Sequence, residues 1–139
     1  MSYDLMVFSP TAAPKEPQAF AQWFAAQTEW PENHDYEDPA VTSPSLKAWF
    51  LDMIGQYPAL NGPFAEDEKP DDDSVLTDYS IGRNLIYAAF ANRQAERARQ
   101  HMFALAARHC VGFFDLGAQP PTEWLPDGDN GLAPAFRCG

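Results

Sequence analysis

Apolar positions recur along this chain with two periods, two residues in some stretches and close to four in others. The pattern is clearest from Thr77 to Gly117. All thirteen prolines lie outside it, at 1–70 or 120–139, so nothing there interrupts a strand or a helix. Asp78-Tyr79-Ser80-Ile81 and Leu85-Ile86-Tyr87-Ala88-Ala89-Phe90 are two apolar runs joined by Gly82-Arg83-Asn84, the spacing of a β-hairpin. From Asn92 the period lengthens. Ala95, Ala98, Met102 and Leu105 fall at helical spacing, with Arg93, Arg97, Gln100, Ala104 and Arg108 on the opposite side. Val111-Gly112-Phe113-Phe114-Asp115-Leu116 then reads as a buried strand ending at Gly117.

Upstream, Tyr3-Asp4-Leu5-Met6-Val7-Phe8 is a near-continuous apolar run. It predicts a central strand covered on at least one face. Phe20, Trp23, Phe24 and Gln27 at i, i+3, i+4, i+7 predict a first helix, stopped by Trp30-Pro31. Ser43-Pro44 is a helix start, a capping hydroxyl followed by proline at the first helical position. The second helix carries Leu46, Trp49, Phe50 and Met53 on its apolar stripe and ends near Gly55. Downstream of Gly117, Trp124 suits a short edge element, and the Pro- and Gly-rich remainder reads as turn and tail.

The order β–α–α–β–β–α–β predicts an α+β fold: a four-stranded, mainly antiparallel sheet with helices on one face, a split βαβ or ferredoxin-like variant. Strands are expected near 3–8, 76–81, 84–91 and 111–116, and helices near 17–28, 44–55 and 93–109. Trp23, Phe24, Trp49, Phe50, Phe90 and Phe113 are the expected buried aromatics. A chain of 139 residues suits one domain, with an ordered core over about 3–117 and a loop-rich tail over 118–139.

Charge changes the picture. The net charge is −11, yet residues 1–78 hold 15 acids and three bases, and residues 79–139 hold five acids and six bases. The acids crowd into two loops. Glu29 to Pro39 has five acids and no base, and Glu66 to Asp73 has six acids in eight residues. Such runs repel themselves and stay solvated. Their field repels nucleic acid and anionic membranes and attracts basic partners. No basic leader or long apolar stretch marks the chain for secretion or a membrane, so a cytoplasmic location is expected. Two cysteines make no disulfide framework. They read as one buried thiol and one in the tail.

Chemical motifs are sparse. No glycine-rich phosphate loop occurs. His34 is a lone loop imidazole, and His101 and His109 stand eight residues apart, too far to share one helical turn. Asp71-Asp72-Asp73 and Asp127-Gly128-Asp129-Asn130-Gly131 are only fragments of a calcium loop. His109 and Cys110 are sequence neighbours whose side chains diverge, which disfavours a thiol–imidazole pair. Expected, then, are no catalytic residue, no metal and no cofactor. A small enzyme would instead show a pocket holding perturbed carboxylates or His101, and a homodimeric structural or adaptor domain would bury a sheet face against its own copy.

The segments YDLMVF, QTEW with HDYEDP, SPSLKAWF, PALNGPFA, TDYSIG, LIYAAFA and VGFFDLG together resemble a family of small, uncharacterised bacterial cytoplasmic proteins. That family is associated with immunity to secreted toxins of the polymorphic and type VI systems. The resemblance covers about residues 3–117 and transfers no catalytic residue. It implies a non-catalytic, acidic binding protein whose partner is a basic toxin domain. The residues expected at that contact are Glu29, Trp30, Glu32, Asp35, Tyr36, Glu37 and Asp38 in the first acidic loop. Phe64, Glu66, Asp67, Glu68, Asp71, Asp72 and Asp73 join them from the second. The acids would steer encounter, and the aromatics would anchor the complex.

Overall fold

A computed structural model describes residues 2–13, 16–27, 41–60, 75–115, 122–126 and 132–137. Strand β1 (Ser2–Phe8) is followed by helices α1 (Pro17–Gln27) and α2 (Pro44–Met53) and by the hairpin β2 (Asp78–Ile81) and β3 (Leu85–Ala91). A short 3-10 turn at Asn92–Gln94 leads into α3 (Ala95–Arg108), and the chain continues through β4 (Gly112–Asp115), β5 (Thr122–Pro126) and β6 (Leu132–Arg137). The four strands and three helices read from periodicity all form, and the fold is α+β.

The strand order is β2-β3-β1-β4-β5-β6, and every neighbouring pair is antiparallel. β1 lies between β3 and β4, with Met6 opposite Tyr87 on one side and Phe114 on the other. The connections β1 to β2 and β3 to β4 each skip one strand. This is the doubled split βαβ arrangement expected from the order of elements. The sheet is wider than expected, because β5 and β6 extend it beyond β4 and the stretch 118–139 is not simply a loop-rich tail. Pro134 lies in β6, an edge strand, beside a register shift in which Glu123 faces Phe136 and Trp124 faces Pro134. Edges and bulges are the places where a strand tolerates proline.

A second difference concerns the helices, which divide between the two faces rather than sharing one. Leu5 and Val7 of β1, Ile86, Ala88 and Phe90 of β3, and Phe113 of β4 pack with Leu46, Trp49, Phe50 and Met53 of α2 and Met102, Leu105 and Ala106 of α3. The alternate residues, Met6 and Phe8 of β1, Leu85 of β3 and Phe114 of β4, pack with Phe20 of α1. Phe20 stands 4.9 Å from Phe114 and 5.4 Å from Phe8, ring centre to ring centre, in tilted or edge-on geometries that suit aromatic quadrupoles. The continuous apolar runs of β1 and β4 follow directly: a strand covered on both faces has no polar side to present. Trp49, Phe50, Phe90 and Phe113 are buried as expected. Trp23 and Phe24 are only half-buried, because among the described residues α1 has no second helix beside it.

Local chemistry fixes the helix ends. Ser43 caps α2, its Oγ accepting from Leu46 N at 3.4 Å, with Pro44 at the first helical position. α3 closes in a Schellman turn. Val111 N donates to Ala106 O at 3.0 Å and Cys110 N to Ala107 O at 3.3 Å. Cys110 occupies the left-handed position of that turn at φ 57°, where glycine is usual. Its side chain is exposed, a correction to the buried thiol read from sequence. Cys138 lies outside the described residues.

Candidate functional site

The predicted contact residues, Glu29 to Asp38 in the first acidic segment and Phe64 to Asp73 in the second, lie outside the described residues, as does His34. What is described is where each segment leaves the scaffold. The first ends at Val41, which packs against the core, and Thr42 Oγ1 donates to the carbonyl of Arg83 in the β2–β3 turn at 3.2 Å. The second is closed at its base by a parallel bridge between Ala59 and Thr77. Leu60 N donates to Thr77 O at 2.8 Å, and Thr77 N donates to Pro58 O at 3.0 Å. Helix α2 stands between the two roots. Its ten residues span about 15 Å along the helix axis.

The scaffold between those segments is close to neutral. Residues 28–40 and 61–74 hold eleven acids and one lysine, while the rest of the chain holds nine acids and eight bases. Exposed Arg93, Arg97 and Arg108 share the outer stripe of α3 with exposed Gln100 and Ala104, the side opposite its buried residues, as the periodicity predicts. Arg99 does not belong to that stripe. It turns to Asp115, Nε to Oδ2 at 2.7 Å.

Two tyrosine–aspartate pairs cross the sheet near its β1 amino end. On the α2–α3 side Tyr3 donates to Asp115 Oδ1 at 3.0 Å, and the Asp115 side chain is nearly inaccessible. Burial, then the charge and hydrogen bond of Asp115, push the Tyr3 phenol up to about 12. On the α1 side Tyr87 donates to Asp4 Oδ2 at 2.6 Å. Burial and Asp4 also raise the Tyr87 phenol. These pairs satisfy groups at the sheet and face no described cavity.

The histidines separate as their spacing implies. His109 Nε2 meets Asp52 Oδ2 at 2.6 Å, joining the end of α3 to α2. His101 lies one helical face away, with its ring 5.7 Å from that of Tyr57. Burial lowers the His101 pKa, partly opposed by the charge of Asp52. Among the described residues no group of three His, Cys, Asp or Glu side chains is placed to hold a metal ion. A groove of about 350 Å³ is lined by Gln56, Tyr57, Arg97, Gln100, His101 and Ala104. It holds His101, as an enzyme pocket would, but among the described residues no carboxylate lines it. Sequence reading missed this groove as a unit, although Arg97, Gln100 and His101 at i, i+3, i+4 mark one helix face. Its other wall comes from Gln56 and Tyr57, forty or more residues earlier.

Comparison with family models, with curated proteins and with solved structures returned no match. No helix among the described residues is long and apolar enough to cross a membrane.

Proposed function

We propose that this is a non-catalytic acidic binding protein that captures a basic protein partner, and that the partner is a cognate bacterial toxin domain, as the resemblance to immunity proteins implies. The observation that carries this reading is the segregation of charge. Eleven acids and one lysine occupy two segments totalling 27 residues, on a scaffold that is otherwise balanced. Solubility alone needs dispersed charge of either sign, whereas a concentrated field steers encounter with an opposite partner. Both segments leave ordered roots at Thr42 and at the Ala59–Thr77 bridge, which limits the freedom a partner must restrain on binding. The arginine stripe of α3 disfavours a basic partner on that side and so restricts how it docks.

The test uses the partner recovered from the native host. Neutralising Asp35, Glu37 and Asp38 to their amides, and separately Asp71, Asp72 and Asp73, slows association several-fold at low salt and flattens its salt dependence. Trp30→Ala instead speeds dissociation. Wild-type rates in all three variants at low salt overturn the reading. A concentration-dependent dimer with no partner favours the adaptor alternative.

A further inference from the structure

Tyr57 pegs the connection between α2 and β2 to the rest of the molecule. Its N–H donates to Met53 O at 2.7 Å, its hydroxyl to Gln94 Oε1 at 3.3 Å, and its carbonyl accepts from the Tyr79 hydroxyl at 2.7 Å. Its buried ring meets that of Phe90 edge-on, 5.3 Å between centres. The next three residues, Pro58, Ala59 and Leu60, make the root of the second acidic segment through their contacts with Thr77. Whatever holds Tyr57 therefore also holds that root. β2 is an edge strand of the sheet, so the sheet supports this corner from one side, and such corners open at lower cost than the core.

His101 is the wall that α3 sets against Tyr57. Its Nε2 is inaccessible to solvent and has no hydrogen-bond partner among the described residues. A neutral imidazole tolerates that position at the cost of one unmade hydrogen bond. An imidazolium would have to bury a charged N–H donor with nothing to receive it. The surrounding charges give little relief. Asp52 of α2 favours the charged form, but it is already engaged by His109 Nε2 at 2.6 Å, and its side chain is 42 % exposed, where water screens it. Arg97, one turn earlier on α3, lines the same groove and is a like charge. Tyr57 is a neutral phenol whose pKa burial raises, and Phe90 behind it carries no charge. Burial accordingly lowers the His101 pKa, with Asp52 opposing.

We propose that His101 is an acid-sensitive latch, whose protonation frees Tyr57 from α3 and opens the root of the second acidic segment. Hydrating Nε2 requires either that the α2–β2 connection lift or that the imidazole swing outward. Both movements take the α3 wall away from Tyr57. The sign follows from the direction of the shift. His101 binds its proton less readily in the fold than at the ordinary value of 6.5. The contribution of the latch is complete above that value and is lost as the pH falls through the lower, folded one.

Amide hydrogen exchange of the full chain tests the latch, read by NMR at about pH 7.5 and about pH 5.5 and corrected for the intrinsic pH dependence of exchange. Leu60 and Thr77, whose amides close the root, lose protection several-fold on acidification, while Leu5 and Val7 in β1 keep theirs. The ring protons of His101 titrate over the same interval. His101→Gln and His101→Phe, which cannot take up the proton, each abolish the change at Leu60 and Thr77. Unchanged protection in the wild type while His101 titrates would mean that the ring swings out alone, and overturns the proposal. A loss that persists in both variants places the titrating group elsewhere and overturns it too. The measurement needs no partner, so its outcome is separate from that of the toxin-binding reading.

Discussion

On the side covered by α2 and α3, the described sheet meets a core of nineteen buried residues; on the side covered by α1 it meets six. The larger core is drawn from two helices locked to each other, with Trp49 Nε1 donating to Met102 O at 3.4 Å. The smaller core depends on aromatic rings from one helix, and two of them, Trp23 and Phe24, keep contact with solvent. The same strands build both, since their alternate residues point to opposite sides. Stability should therefore be distributed unevenly across one sheet, with the α1 layer the cheaper to open.

Trp49→Ala and Trp23→Ala test that difference most directly. Removing the fully buried Trp49 costs about 3–5 kcal/mol, and removing half-buried Trp23 about 1–2 kcal/mol, both read from urea unfolding. Equal losses would remove the distinction between the faces. Next comes overfilling. A methyl group at Gly112 would run into the ring of Phe8 on the α1 side. Gly112→Ala costs about 1–3 kcal/mol if the α1 layer is tightly packed. A cost near zero would show that this layer yields.

A smaller effect of opposite sign belongs to the α3 end. Cys110→Gly relieves a left-handed backbone position and raises stability by about 0.5–1 kcal/mol. The smallest effect is confined to alkaline pH. Tyr3 titrates from 10.0 when unconstrained and near 12 in the fold. Its contribution is thus complete below pH 10 and lost as the pH rises through 12. Tyr3→Phe flattens the decline of stability over that window, and tyrosinate absorbance follows the same titration. Tyr87→Phe, on the other face, removes a second phenol held up by burial and Asp4 and shifts the remaining decline.

Most of the fold was legible because each element carries its own period and its own caps. Ser43-Pro44 began a helix where expected, and Gly82-Arg83-Asn84 turned a hairpin. The side on which α1 packs was harder to read. The signal was present in Met6, Phe8 and Phe114, apolar on the face that a one-sided sheet would leave polar, but a continuous run does not say which helix covers which side. β5 and β6 were hidden by Pro126 and Pro134, which argue against a central strand and not against an edge. The charge segregation was wholly legible, being a property of sequence. The roots of the acidic segments were not, because the Ala59–Thr77 bridge and the Thr42–Arg83 bond join residues with no local pattern in common. The same holds for the Tyr57–Arg97 groove.

The central place of β1 also has a consequence for how the chain is made. Its partners are residues 85–91 and 112–115, so every ladder it forms closes a loop of most of the chain. At synthesis rates of roughly 5–20 residues per second, Leu5 to Phe8 wait about 5–20 s for the last of those partners to emerge. The nascent chain must carry a strand that is apolar on both sides and has neither neighbour. The hairpin β2–β3 and helix α3 can form locally in the meantime, leaving β1 to insert between strands that the β4 segment completes. Folding of this kind is limited by distant contacts and runs in milliseconds to seconds, and a ribosome-bound chain stopped before residue 112 should hold its first strand available to chaperones.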